Sequence, residues 1–272
     1  PQRGTAYLGR AKEVVRRMRE EGFINSEEEM KLLVDLPNVA IASQSGYLKA
    51  PHFVFYVKEL LIEKYGERVV EQGGLRVETS LDLELQEEAQ KYIKDEIAKV
   101  EYLNINNGAA IVMNPRNGEI LAMVGSKDWF DAGYEGKYNV VTALRQPGST
   151  IKPVTYLTGI RNGYTAATML MDTNTAFPGG DKPEYVPENY DNKFRGPVTV
   201  RAALGNSLNI PAVKMLSLVG IKNMLQMAFD LGLTTLEPTD KLLARVGLSV
   251  TLGGGEVRLL DMAAAYSAFA NG

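Results

Sequence analysis

The 272-residue chain has no cysteine and a single histidine, His52. Without thiols there are no disulfides, no thiolate nucleophile and no Cys-ligated metal. One histidine excludes a His-rich metal site, and a Ser-His-Asp triad would have to use His52 itself. A general base is then sought among Lys, Asp, Glu and Tyr. Neither charge sign is in excess: 30 Lys and Arg stand against 33 Asp and Glu, for a formal net charge of −3. The basic footprint of a nucleic-acid-binding protein is therefore missing. No apolar run approaches the roughly 18 residues that span a bilayer, and Pro1-Gln2-Arg3-Gly4 does not open a signal peptide. What remains is ordinary globular composition, 45% apolar and 23% charged, in a length that allows about two domains.

Hydrophobic spacing predicts helices through most of the chain. Val14, Val15, Met18 and Phe23 share a face of Arg10–Glu21, and Gly22 suits the helix end. Ser26 and Glu29 fit a capping box for a helix over Glu27–Leu36, ended by Pro37. A linker with Ser43, Ser45 and Gly46 follows. Residues 52–65 are again helical in pattern, Leu75–Thr79 alternates like a strand, and Ser80 or Asp82 caps a helix over Leu83–Val100. Ala109–Met113 and Glu119–Val124 flank a turn with Asn117-Gly118 and predict a β-hairpin. From Ser149 the helical period returns, with Gly163 at its end. Residues 164–198 read as a long loop rich in Pro and Gly, including Gly179 and Gly180, and such a loop inside a domain is often functional. Met169 and Met171 are expected in the core. Further helices are expected over Thr199–Asn206, Pro211–Val219, Lys222–Leu231 and Leu259–Ala270.

The chemistry gathers at Ser149-Thr150-Ile151-Lys152, an S-x-x-K at a predicted helix start. Residues i and i+3 share a helix face, which brings the Lys152 ammonium toward the Ser149 hydroxyl. A serine hydroxyl needs a base at neutral pH, and a lysine can serve if desolvation lowers its pKa. Backbone N–H groups at the helix start offer a site for an oxyanion. With 10 Ser and 16 Lys in the chain, about 0.6 such spacings are expected by chance, so the motif alone decides nothing. Ser207-Leu208-Asn209 is an S-x-N whose hydroxyl and amide suit proton relay and carbonyl binding. Its plain alternative is a helix-to-helix turn. Gly253-Gly254-Gly255 lacks the Lys-Ser/Thr and the strand-before-helix setting of a phosphate loop. His52 and the pair Trp129 and Phe130 are expected to serve local packing.

Taken in order, these motifs form a known signature. Arg145-Gln146-Pro147-Gly148-Ser149-Thr150-Ile151-Lys152-Pro153 resembles the nucleophile segment of class A, bifunctional penicillin-binding proteins. Val198–Leu204 with Ser207-Leu208-Asn209 resembles that family's second motif. So do Pro187-Glu188-Asn189-Tyr190, Gly247–Gly253 and Ala265-Tyr266 through Phe269-Ala270-Asn271-Gly272. Ala50-Pro51-His52-Phe53 through Leu81-Asp82 is similar to its interdomain linker, and residues 1–36 to the last helices of its glycosyltransferase domain. The resemblance implies three parts. Residues 1–45 would be a glycosyltransferase remnant, 46–107 a linker region, and 108–272 the N-terminal part of the transpeptidase domain. The implied fold class is α/β (α+β), like penicillin-binding proteins and serine β-lactamases, with helices against an antiparallel sheet.

The resemblance also implies a reaction and its residues. Ser149 would attack a D-Ala-D-Ala carbonyl, Lys152 would act as base, and Ser207 would pass the proton. Asn209 would bind substrate, with Asn189 and Tyr190 on the wall of the site. No cofactor, metal or nucleic acid is implied. The expected partners are peptidoglycan stem peptides and lipid-linked glycan strands, with β-lactams as inhibitors. The expected location is the outer face of a bacterial membrane, with the anchor elsewhere in a longer parent protein. No Lys-Thr-Gly or Lys-Ser-Gly occurs in these residues. The family carries that strand after the Ala-Asn-Gly segment, so the chain is expected to be a piece with an incomplete sheet. A serine β-lactamase, a DD-carboxypeptidase, and a non-catalytic β-lactam sensor or scaffold are the alternatives. The linker and glycosyltransferase-like helices weigh against the hydrolases and the sensor, and the intact set of Ser149, Lys152, Ser207 and Asn209 weighs against an inactive scaffold.

Overall fold

A computed structural model describes residues 6–38, 48–131, 135–178 and 183–271. Ser43, Ser45 and Gly46 of the expected linker, Gly179 and Gly180 of the long loop, and Gly272 lie outside the described residues. Chain contacts separate two units, Pro1–Leu48 and Lys49–Gly272.

In the first unit, helices α1 (Ala6–Glu20) and α2 (Ser26–Asp35) pair, followed by a 3₁₀ turn over Leu36–Asn38. The capping box exists one residue earlier than expected. Asn25 Oδ1 accepts from the N–H groups of Glu27 and Glu28, both at 2.9 Å, and Glu28 Oε2 accepts from Asn25 N at 2.8 Å. Asn caps as well as Ser, and Glu29 instead meets Arg19 of α1 at 2.6 Å. Of the apolar face expected on α1, Val15 is buried while Val14 and Phe23 are exposed. Two helices alone have no second layer to cover such a face.

The second unit opens with α3 (Pro51–Tyr65), which has Pro at its first position, then the short α4 (Glu67–Glu71). Leu75–Thr79 is not a strand. It has no ladder partner among the described residues, and alternation without a partner leaves backbone groups to water. Asp82 caps α5 (Leu83–Val100), its side chain accepting from Leu85 N at 3.1 Å. The hairpin forms as expected, from β1 (Ala110–Met113) and β2 (Ile120–Val124), antiparallel with Ala110 opposite Val124. The far edge of β2 is covered by side chains and backbone of residues 80–86. Ser80 Oγ donates to Ile120 O, Asp82 N to Leu121 O, and buried Gln86 grips Met123 through both its amide atoms. That use of Gln86 replaces a neighbouring strand and shields the edge from stray pairing. Among the described residues β1 pairs with β2 alone. Ala110 and Ile111 line a largely apolar cavity of about 610 Å³ with Pro147, Met262 and Tyr266.

Beyond the hairpin, β3 (Leu144–Arg145) leads into a 3₁₀ turn over Gly148–Ile151, and α6 (Lys152–Arg161) follows directly. The stretch expected as one long loop holds two strands, β4 (Met169–Asp172) and β5 (Gly196–Thr199), paired antiparallel. Pro197 masked β5 in the sequence, because proline is confined to edge strands and this ladder has only two. Met169 and Met171 are exposed and Leu170 and Asp172 are buried, the reverse of the core role expected for the methionines. A two-stranded ribbon buries one face only.

Helices α7 (Val200–Gly205), α8 (Asn209–Val219), α9 (Ile221–Asp230) and α10 (Asp240–Arg245) come next. Strand β6 (Val257–Arg258) pairs with β3, and α11 (Leu259–Asn271) completes the described order. The main core lies under α6, α8 and α9, around Val154, Tyr156, Met215, Leu216, Met224 and Leu225. A smaller cluster of Ala50, Phe53, Met123 and Val141 joins α3 to the hairpin. Buried His52 donates through Nε2 to Gly136 O at 3.0 Å and meets Trp129 edge-on, with Phe55 stacked on the same indole. Burial pushes His52 below its ordinary pKa, which suits this packing role. Among the described residues, no helix is long and apolar enough to cross a bilayer.

Candidate active site

The second unit places its chemistry where α6 and α8 converge. Gly159 lets them approach closely: a Cβ there would stand 2.5 Å from Met215 Sδ. At the start of α6, Lys152 is wholly buried, with 0% exposure. Its ammonium has three donors, and each finds an oxygen. Nζ lies 2.6 Å from Ser207 O, 3.2 Å from Ser207 Oγ and 2.7 Å from Asn209 Oδ1. All three acceptors are neutral, and among the described residues no carboxylate pairs with Lys152. Burial without a counter-charge disfavours the ammonium and lowers its pKa from 10.5 to about 8.

Ser149 sits three residues before Lys152, exposed in the 3₁₀ turn rather than in the α-helix expected there. Proline at 153 and glycine at 148 delay the α-helix until Lys152. Among the described residues, no hydrogen bond joins the Ser149 side chain to Lys152. The turn is held from several sides. Tyr266 donates to Thr150 O at 2.8 Å, and Thr155 shares a hydrogen bond with Thr251 at 2.7 Å. Gly253, with φ +99°, closes the 3₁₀ turn Leu248–Leu252 and packs on Gly148, where a Cβ would come within 2.3 Å of Gly148 N. Only glycine meets both the torsion and the approach.

Ser207 owes its place to the end of α7. Leu208 N donates to Ala203 O and Ser207 N to Leu204 O, the paired bonds of a Schellman cap. Ser207 occupies the left-handed position of that cap, φ 51°, where glycine is usual. A non-glycine residue there carries strain, and strain concentrates at functional sites. The strained position turns both the carbonyl and the hydroxyl of Ser207 toward Lys152. Relative to Ser207→Ala, Ser207→Gly should be about 1 kcal/mol more stable, because both lose the hydroxyl and only Gly relieves the torsion. Urea titration checks the stability.

Asn209 begins α8. Its Nδ2 donates to Glu188 O at 2.8 Å, which leaves Oδ1 for Lys152. Asn189 is buried beneath this contact. Its Oδ1 accepts from Asn209 N at 2.8 Å and Ile210 N at 3.4 Å, and its Nδ2 donates to Asp172 and Lys193 O. Every polar atom of the Asn189 side chain is thus engaged inside the protein. Tyr190, its neighbour, points fully into solvent. The structure brings together Lys152, Ser207, Asn209 and Asn189, sets Ser149 at their exposed margin, and leaves Tyr190 apart from them.

Two residues of this neighbourhood had no signal in the motifs. Asp172 is wholly buried at the end of β4. Tyr156 lies one helical turn beyond Lys152, and its buried hydroxyl has no protein hydrogen-bond partner among the described residues. Burial, reinforced by the charge of Asp172, holds that phenol well above its ordinary pKa. An acid closing a short apolar run was the one available pointer to Asp172.

The frame is a mixed helix-and-sheet fold built around a buried lysine. The chain belongs to the family described as Penicillin binding protein transpeptidase domain, which matches residues 108–272. It is 27% identical over 346 residues to penicillin-binding protein 1A of Aquifex aeolicus (strain VF5), covering 97% of this chain and 46% of that protein. It is 31% identical over 269 residues to penicillin-binding protein 2D of Bacillus subtilis (strain 168), covering 97% of this chain and 37% of the relative. The chain therefore spans less than half the length of either. The crystal structure of penicillin-binding protein 1A from Haemophilus influenzae shares the fold with a TM-score of 0.74 at 20% identity, over 97% of this chain and 52% of that one.

Proposed function

We propose that this chain carries the acylation centre of a peptidoglycan DD-transpeptidase, within a bifunctional class A cell-wall synthase. The observation that carries the reading is the buried Lys152, without a counter-charge among the described residues, bonded to Ser207 and Asn209 and three residues beyond an exposed Ser149. In this reading Ser149 Oγ attacks the carbonyl of the penultimate D-Ala of a stem peptide. Its proton passes to neutral Lys152 Nζ as the new C–O bond forms. The tetrahedral oxyanion is met by backbone N–H groups at the start of the 3₁₀ turn, where such donors lack helical partners. The C–N bond then breaks, and the leaving D-Ala amine takes a proton from Lys152 by way of Ser207 Oγ. A hydroxyl suits that relay because it accepts on one side while donating on the other. An amine of a second stem peptide attacks the acyl-enzyme, and the same groups return the proton to Ser149. Asn209 Nδ2 lies on the substrate side of the site, and Asn189 fixes Asn209 from below.

In the same reading, β-lactams acylate Ser149, residues 1–45 continue a glycosyltransferase domain, 46–107 link it, and 108–272 belong to the transpeptidase domain. The parent protein would be membrane-anchored, would work on the outer face of a bacterial membrane, and would meet lipid-linked glycan strands there.

The test is intact mass measurement after incubation with benzylpenicillin, paired with a D-Ala-D-Ala donor peptide and an amine acceptor. A stable adduct of one drug mass, together with D-Ala release and donor–acceptor product, is the expected result. Rapid drug turnover without adduct would make the protein a β-lactam hydrolase. Neither adduct nor D-Ala release would remove the acyl-transfer reading.

A further inference from the structure

A carboxylate accepts hydrogen bonds and donates none. This elementary fact fixes the orientation of two amides in series. Asp172 presents its two oxygens to Asn189 at 2.8 and 3.0 Å, so the group facing it is the Asn189 NH₂. The other end of that amide, Oδ1, is thereby turned to the N–H groups of Asn209 and Ile210, at 2.8 and 3.4 Å. Asn209 is pinned by its backbone, and its own NH₂ meets a second acceptor-only group, Glu188 O, at 2.8 Å. Only Oδ1 of Asn209 is left for Lys152, at 2.7 Å. With the opposite polarity at either amide, a donor would face a donor.

We propose that Asp172 is a positioning residue for the acylation centre, acting through Asn189 to hold Asn209 Oδ1 against Lys152 Nζ. This rests on the reading of Lys152 as the reacting base. Asp172 itself touches neither Ser149 nor any substrate. Its place between elements fits the task. It ends β4, accepts from Arg195 N at 3.1 Å, and thereby ties the loop carrying Glu188 and Asn189 to the ribbon. The charged and titratable groups around it are the Arg195 guanidinium at 3.9 Å, Lys214 from α8 and Tyr156 from α6. Lys214 spends its ammonium on Met171 O and Thr173 Oγ1 instead. Burial of the carboxylate costs free energy unless it is fully hydrogen-bonded, and here its bonds run to the strip that presents Asn209.

The test is a double-mutant cycle of Asp172→Asn with Asn209→Ala, read on the rate of Ser149 acylation by a fluorescent penicillin. Asp172→Asn keeps the size but puts an NH₂ against Asn189 Nδ2 or Arg195 N. In the wild-type background it should slow acylation roughly 30-fold, within the roughly 10²-fold cost of a small misplacement. In the Asn209→Ala background it should cost less than about 3-fold, because coupled residues are non-additive. An equal loss in both backgrounds overturns the proposal and leaves Asp172 a folding residue. Should Asp172→Asn not fold, Asn189→Ala cuts the same link and enters the same cycle.

A second readout separates this proposal from the reading beneath it. The ¹³Cε resonance of Lys152 should move on Asp172→Asn when Asn209 is present, and stay when position 209 is Ala. If the wild type takes no penicillin yet the resonance obeys the cycle, the acylation reading fails and the positioning stands. If acylation occurs and the resonance ignores Asp172, the positioning fails alone.

Discussion

Ser149→Ala should abolish the penicillin adduct and slow any residual acylation by more than about 10⁴-fold, the scale on which removing a nucleophile acts. Its stability should stay within about 0.5 kcal/mol of wild type, because an exposed side chain without special contacts contributes little. The pairing of these two expectations matters more than either alone. Ser149 is exposed, and among the described residues its side chain makes no hydrogen bond. The fold has no evident structural use for the hydroxyl. A position can therefore lose its chemistry and keep its melting point only if its purpose is chemical. The measurement is intact mass after drug incubation, set beside a urea titration of the same samples. An adduct that survives in Ser149→Ala would move the nucleophile elsewhere, with Ser207 the first alternative. Peptide mapping of the modified protein would locate it.

How far the sequence anticipates this site depends on whether a residue acts through local or distant structure. Ser149 and Lys152 lie three apart, so a short-range rule brings them to one turn. The hairpin of β1 and β2 was legible for the same reason, since two apolar runs flank an Asn-Gly turn. The α5 cap was too, because Asp82 stands directly before the helix. The ribbon of β4 and β5 was not. Its strands are short, one contains Pro197, and its pairing joins residues far apart in sequence. With the ribbon unseen, only an acid closing a short apolar run pointed to Asp172, and Asn189 reads as a wall residue although it is buried against Asp172 and Asn209. Tyr190 shared that motif with Asn189, yet Asn189 is buried and Tyr190 fully exposed. Neighbouring residues in an irregular loop need not share a side, and no periodicity rule assigns one.

The 3₁₀ start of α6 also has a physical reason that spacing hides. In a regular α-helix Ser149 and Lys152 would be stacked neighbours on one face. A 3₁₀ turn keeps i and i+3 in line as well, so it is the acceptors that draw the lysine aside: Ser207 and Asn209, between α7 and the start of α8, take all three of its donors. The site thus holds Lys152 through neutral oxygens and leaves Ser149 exposed.

Lys152→Met should slow acylation by roughly 10³-fold, in the range that a general base contributes, and should erase one feature of the pH dependence of stability. The sign follows from the two states of the chain. Unfolded, Lys152 titrates near 10.5, and folded near 8. Between those values the unfolded chain holds a proton that the folded protein has released. Stability therefore rises with pH across this window. The full increment is about 3 kcal/mol, taking 1.36 kcal/mol per unit. Below the window the penalty of the buried ammonium is present in full. Four tyrosines with raised values, Tyr56, Tyr156, Tyr185 and Tyr266, work in the opposite sense above pH 10. Burial lowers Lys214 in the same sense as Lys152. These contributions are common to both proteins and cancel when wild type is compared with Lys152→Met. The quantity to measure is that difference, by urea unfolding from pH 7 to 10. The wild type should gain about 2.5 kcal/mol on the variant over that range. Its acylation rate should climb over the same interval with a midpoint near 8, as the neutral amine becomes available. Met also leaves Ser207 O and Asn209 Oδ1 without their donor, at about 1–3 kcal/mol each. That loss shifts the whole variant curve downward but does not depend on pH. A flat difference between the two curves would mean that Lys152 keeps an ordinary pKa, and that the proton from Ser149 must go elsewhere.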